Sequence, residues 1–319
     1  MKNQLKSLFT EHWKYLAVNA ACELKLFDKI FDGQNTTEKL IINNNWNLRA
    51  LVHLLVFLKD NEYLNEIDFT LALTEKGNLL REGNTDGLFY ACLNWSAEHL
   101  TAWQNLDFTI RSGKSSFEKV YGQSFFNYLN EHPSELFNYH KAMFEYARDD
   151  YKQLPELINF GKHKSVMDVG GGYGAAIKII AEKYPNVNCL LFDLDKVIQG
   201  VNLDKIEKIA GDFFVQIPYV SESIILSRIL HDWDNTKAKQ ILKNCFEALP
   251  SGGTLYVIEN CNTNSETELA LLSLNMSVMC ESHERTEKEY KELCFEIGFE
   301  YSSQVILNQL QIILIFQKP

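Results

Sequence analysis

The residues Val166-Met167-Asp168-Val169 run directly into Gly170-Gly171-Gly172-Tyr173-Gly174 and then into the helical pattern of Ala175–Lys183. An apolar strand that breaks into glycines and re-forms as a helix is the opening of a βαβ unit. The pattern continues. Apolar strands are expected at Ser165–Val169, 189–193, 206–210, 223–229 and 254–259, with helices at Ala175–Lys183, 235–249 and 286–297. Two further strands, 304–307 and 310–316, have no helix between them. Alternation of this kind requires a doubly wound, mostly parallel α/β sheet, here Rossmann-like and seven-stranded, with the last strand antiparallel. Before residue 160 the spacing is helical, as at Leu51, Leu54, Leu55 and Leu58.

The expected organisation is therefore a mainly helical, winged-helix-like domain over 1–90 and a catalytic domain over 91–319. The latter comprises linking and substrate helices at 91–160 and the cofactor-binding core at 161–319. The stretch 36–75 reads as helix, turn, helix and short hairpin. Residues 1–90 hold ten Lys or Arg against twelve Asp or Glu, and the putative recognition helix offers only Arg49 and Lys59. A DNA reader needs a basic face for phosphates, so this module points to dimerisation or to covering a substrate. The whole chain carries a net charge of −11, which disfavours nucleic acid and anionic membranes. Its seven cysteines form no CxxC pair. With no signal-peptide pattern and no long apolar run, a cytoplasmic enzyme with reduced thiols is expected.

Three strand ends carry the cofactor chemistry. Asp168 precedes the glycines and can accept from an ammonium group or orient the loop, and Gly170 and Gly172 let a ligand approach the backbone. Asp193 ends the next strand, where a carboxylate can take both hydroxyls of a ribose. Asp212 and Phe213 follow the third, placing an acceptor for an exocyclic amine beside a ring that can stack. No GKS or GKT motif follows. Adenosine without phosphates is what this combination fits, and S-adenosylmethionine is such a molecule, with S-adenosylhomocysteine as its product.

The chain resembles the class I O-methyltransferases of the caffeic acid and hydroxyindole type, including the bacterial enzymes that act on aromatic polyketides. The resemblance rests on DVGGGYG (168–174), FDLDKVI (192–198), GDFF (211–214), LSRILHDWDNTKAKQIL (226–242), ERT (284–286) and, nearer the start, AVNAACELKLFDKI (17–30) and LTEKGNLL (73–80). It implies cofactor contacts at Gly170, Asp193, Asp212 and Phe213, a catalytic base at His231, and flanking acids at Glu259 and Glu284. It further implies that Met143 and Met276 hold an acceptor ring, that a homodimer forms through the N-terminal domain, and that no metal takes part. The plant enzymes carry a Lys four residues before this His, where the present chain has Ser227 with Arg228 beside it, so the cofactor contact at these two positions loses its pattern.

A sulfonium methyl is already electrophilic, so in-line placement of the acceptor, worth roughly 7–11 kcal/mol in ideal cases, and removal of its proton are what remain. His231 as a neutral imidazole suits the second task near pH 7, with Glu259 or Glu284 holding Nδ1–H. The competing role, capping the helix that follows, suits Asp232 or Asp234 better. Methionines at helical spacing are commonly core filler. Trp95, Trp103, Phe117, Phe125, Phe126 and Tyr139 are candidate walls for a flat phenolic guest. The expected reaction is O-methylation of a small aromatic hydroxyl. C- or N-methylation, a non-methylating relative on the same cofactor, and a winged-helix DNA-binding regulator are the alternatives.

Overall fold

Two polar side chains start the helices of the winged-helix-like segment. Thr36 accepts the Lys39 N–H and opens Thr37–Asn44, and Asn47 accepts the Ala50 N–H and opens Leu48–Asp60. Each satisfies an N–H group that a helix leaves unpaired at its start. Asn45, at φ +55°, turns the chain between them. A hairpin follows, β1 (Leu64–Ile67) antiparallel to β2 (Thr70–Leu73). Leu40, Leu51, Leu55 and Leu58 are buried against Phe27 in one apolar core, which is what their spacing requires.

The computed structural model describes residues 2–261 and 266–319 and divides into two compact units, Met1–Glu98 and His99–Pro319. The first unit runs beyond residue 90 because helix Phe89–Asn94 belongs to its core. Phe89 is buried there, and the Cys92 carbonyl accepts from Tyr15 Oη and Asn19 Nδ2.

The second unit holds a seven-stranded sheet of β3 (Ser165–Val169), β4 (Asn188–Asp193), β5 (Glu207–Ala210), β6 (Ser223–Ser227), β7 (Thr254–Asn260), β8 (Glu300–Ile306) and β9 (Gln311–Gln317). Their order is β5-β4-β3-β6-β7-β9-β8, with β9 antiparallel to both neighbours and all other pairings parallel. Alternate residues feed two cores, Met167, Leu190, Leu226 and Leu255 on one face and Val166, Leu191, Ile225 and Tyr256 on the other. Strands buried on both faces read as continuous apolar runs, and these do.

From β3 the chain proceeds outward through β4 and β5, then returns to build β6 and β7 on the opposite side. That reversal opens a crevice beyond the carboxyl ends of β3 and β6, where ligands of open α/β sheets bind. Two expected elements differ in their bounds and one helix went unread. β6 stops at Ser227, because Arg228 adopts φ +55° and turns the backbone out of the sheet. β8 begins at Glu300 instead of 304, its polar, exposed residues masking it in the sequence. Helix Glu266–Cys280 was not expected, because its apolar residues are spread around its circumference and mark no single face. Among the described residues no helix is long and apolar enough to cross a membrane.

Candidate active site

The loop after β3 is built around two glycines. Gly170 sits at φ +72° and donates its N–H to the Phe192 carbonyl, and a Cβ there would stand 2.6 Å from Ile229 Cδ1. Gly172, at φ +57°, donates its N–H to Asp193 Oδ2 at 2.8 Å. A side chain at either place would meet both strain and a neighbour. The other Asp193 oxygen accepts the Leu194 N–H at 2.7 Å. Both oxygens keep further lone pairs for a diol, and burial raises the acid to a pKa of about 6. Asp168 is buried beneath the loop, and its Oδ1 has no hydrogen-bond partner. Burial, then the neighbouring Asp193, lifts its pKa to about 7. Beyond β5, Asp212 Oδ1 accepts the Phe214 N–H, and Phe213 meets Trp233 edge-on at 6.2 Å.

These residues line one cavity of about 280 Å³ in the unit His99–Pro319, and Ser227, Arg228, Met143, His231 and Asp232 share it. Space of this order suits a small molecule. S-adenosylmethionine fits the donor set. An unpartnered buried carboxylate oxygen and two further acids await positive charge and hydroxyls, and two glycines leave the loop bare beside them. Met276, on helix Glu266–Cys280, is not among the residues lining this cavity.

The turn after β6 carries His231, which is 5% exposed. Its Nδ1 lies 3.0 and 3.1 Å from the two oxygens of Glu284. This leaves Nε2 as the nitrogen free of that contact, 3.7 Å from Asp232 Oδ1. Glu259, at the end of β7, does a different job. Its Oε1 accepts the N–H groups of Ile229 and Leu230, while Oε2 stands 3.8 Å from His231 Nδ1 with no hydrogen bond. So Glu284 holds the ring and Glu259 holds the backbone that carries it. Asp234, not His231, caps the following helix by accepting the N–H groups of Thr236 and Lys237.

The charge of this site corrects the sequence expectation. Burial disfavours the imidazolium, but the carboxylates of Glu284, Glu259 and Asp232 outweigh it and raise His231 to a pKa of about 10. Glu284 is lowered in turn, His231 and Asn260 Nδ2 overcoming the cost of its burial. These carboxylates favour the protonated ring over the neutral one at pH 7. His231, Glu259 and Glu284 also offer atoms all within 4.8 Å of one another, a spacing a metal ion could use. The methyl transfer expected here calls for none.

Sequence reasoning passed over several residues that build the site. Arg285, 2% exposed, donates Nη1 to the Leu230 carbonyl at 2.6 Å, and Nη2 to the Trp233 carbonyl at 2.6 Å and to Asn235 Oδ1 at 2.8 Å. It clamps the turn of His231 from both sides. The ERT triplet contains it, yet only the acid had a chemical reason to be singled out. Ser227 Oγ donates to Tyr151 Oη. Arg228 reaches Asp150 Oδ2 at 3.5 Å and Met143 Sδ at 3.7 Å, so its guanidinium points along helix Pro133–Asp150.

An O-methyltransferase domain model matches residues 103–300. The 3-amino-4-hydroxybenzoate 4-O-methyltransferase of Streptomyces cremeus is 32% identical over 317 residues, 95% of this chain and 87% of its own length. The phenazine O-methyltransferase PhzM of Lysobacter antibioticus is 28% identical over 306 residues, 92% of this chain and 90% of its own. Among solved structures, LaPhzM superposes with a TM-score of 0.93 at 27% identity, covering 100% of this chain and 99% of its own. Human N-acetylserotonin methyltransferase in complex with SAM gives 0.89 at 20% identity, covering 99% and 97%, a likeness of fold.

Proposed function

From the premise that this chain belongs to the O-methyltransferase family, and is an S-adenosylmethionine-dependent O-methyltransferase, we propose that it methylates a hydroxyl on a small aromatic molecule, with His231 as the base. The observation that carries the reading is the pairing of His231 Nδ1 with Glu284 in the cavity that the glycine loop and Asp193 also line. Two similar enzymes whose names specify a hydroxybenzoate and a phenazine support a flat, phenolic guest. So does the aromatic wall, where Phe126 stacks on Trp233 at 5.2 Å and Tyr139 lines the same cavity, while Phe125 packs behind Tyr139 without lining it.

The cofactor supplies a methyl group on a positively charged sulfur. Asp193 holds the ribose hydroxyls, Asp212 and Phe213 the adenine, and Asp168, Gly170 and Gly172 the amino-acid side, with Ser227 and Arg228 near its inner end. Met143 lies against the acceptor ring, and Met276 acts from outside the described cavity. The sulfonium would add a further cation to a cavity that already holds Arg228 and would penalise the imidazolium, so His231 gives up its proton as the site fills. The neutral Nε2 would then accept the proton of the acceptor hydroxyl, and bound S-adenosylmethionine would supply the methyl group to that oxygen, its carbon–sulfur bond breaking to leave S-adenosylhomocysteine as a neutral thioether. Glu284 keeps the tautomer and stabilises the imidazolium that results.

The proposal extends to the assembly: a cytoplasmic homodimer joined through the N-terminal domain, 1–90 in the sequence reading, with no nucleic-acid partner. In support of the last point, Lys59 of the helix that would read DNA is paired with Glu66. Replacing His231 by Ala is the direct test. The expected loss in kcat is about 10²–10⁴-fold, with the Kd for S-adenosylhomocysteine nearly unchanged in calorimetry. Turnover of a phenolic acceptor at the wild-type rate would remove His231 as base.

A further inference from the structure

Helix Pro133–Asp150 lays His140 against the glycine loop. The imidazole stacks on Tyr173, ring centroids 5.2 Å and planes 26° apart. Its Nδ1 lies 3.2 Å from where a Cβ on Gly172 would stand, the glycine whose N–H Asp193 holds. The ring lines the cavity, and no protein group among the described residues hydrogen-bonds either nitrogen. Burial keeps it neutral, pushing its pKa down to about 4. A neutral imidazole brings one N–H donor and one acceptor and adds no positive charge to a cavity that receives a sulfonium.

Neither the acids nor three of the glycine N–H groups supply a donor to this end of the cavity. Asp168, Asp193 and Asp212 only accept when ionised. The N–H groups of Gly170, Gly172 and Gly174 are committed to the Phe192 carbonyl, Asp193 and the Gly171 carbonyl. Arg228, a cation of the same cavity, reaches toward Asp150 and Met143. The cofactor nevertheless carries a carboxylate at its amino-acid end. We propose that His140 is a cofactor-binding residue, donating a hydrogen bond to that carboxylate while its ring, braced on Tyr173, closes the loop side of the cavity. The proposal rests on the assignment of the glycine loop to S-adenosylmethionine.

Calorimetric titration of the full chain with two ligands tests it. S-adenosylhomocysteine has the amino-acid end, and 5′-methylthioadenosine keeps the adenosine and thioether but lacks that end. His140→Phe, which preserves the stack on Tyr173, is expected to weaken S-adenosylhomocysteine by about ten-fold or more, the size of a hydrogen bond to a charged group. It should leave 5′-methylthioadenosine unchanged. His140→Gln, which restores a donor, should recover part of the loss. Equal weakening of both ligands overturns the proposal and makes His140 a packing residue of the loop. No weakening of either overturns it as well. Failure of the wild-type chain to bind either ligand would instead sink the cofactor assignment beneath it.

Discussion

Asp232, Glu259 and Glu284 come from three separate stretches of sequence and converge on one imidazole, at 3.7, 3.8 and 3.0 Å. The nearest sets the proton affinity most directly, because Coulomb energy falls with distance and grows with burial. Removing the Glu284 charge therefore lowers the His231 pKa. Catalysis in the proposed mechanism needs the neutral ring, so the rising limb of kcat/KM against pH moves to lower pH in Glu284→Gln. The acceptor's own ionisation is common to both enzymes and cancels in the comparison. The same variant loses roughly 10²–10⁴-fold in kcat, as the imidazolium loses its partner. An unmoved limb would show that Glu284 does not tune this histidine. The sequence reading named Glu259 and Glu284 as candidate partners of Nδ1, but not Asp232 as a third nearby charge, nor the burial of the ring. HDW marked a histidine after a strand, but a neutral ring was the natural expectation until burial and three acids were placed around it.

The turn of His231 is an element fixed from outside itself. Two N–H groups end on Glu259, and two carbonyls end on Arg285. Arg285 acts through the turn and positions His231, the proposed base, without lining the cavity. Lysine in its place keeps the charge but loses the planar fork that spans Leu230, Trp233 and Asn235. Arg285→Lys is expected to lower kcat by about ten-fold or more, with the acceptor KM and cofactor Kd nearly constant, since a misplaced base costs rate more than binding. If kcat falls while KM and Kd both rise, the role is structural only. At this scale the sequence showed the strands with their glycine and acid ends well, because period-two burial and loop chemistry are local. It hid Glu266–Cys280, whose apolar residues face all ways, and with it the location of Met276. Arg285 was hidden for another reason, since its partners lie some fifty residues away.

For the molecule as a whole, the N-terminal unit leaves apolar surface in water. Helix Lys2–Leu8 has no buried residue, and Leu8, Phe9 and Trp13 are 63%, 67% and 64% exposed. Side chains of this size gain about 1.5–3 kcal/mol each on full burial, which a second copy of the chain would provide. Light scattering is expected to give about twice the chain mass of 36.8 kDa, and Phe9→Glu with Trp13→Glu is expected to reduce it to one. A double variant that stays dimeric would move the interface elsewhere.

The ring of acids around His231 has one more consequence, which concerns direction. In the proposed mechanism a turnover would start, Arg228 apart, with one unit of positive charge on sulfur beside a neutral ring. At its end the cavity would hold one unit on the imidazole beside a neutral thioether and a methyl ether. Charge would be neither created nor lost within the cavity; it would be relocated by one reaction from the visitor to the host. The three carboxylates, which favour an imidazolium, lower the second location relative to a site without them, and in the proposed mechanism the ring gives back its proton as the next cofactor enters.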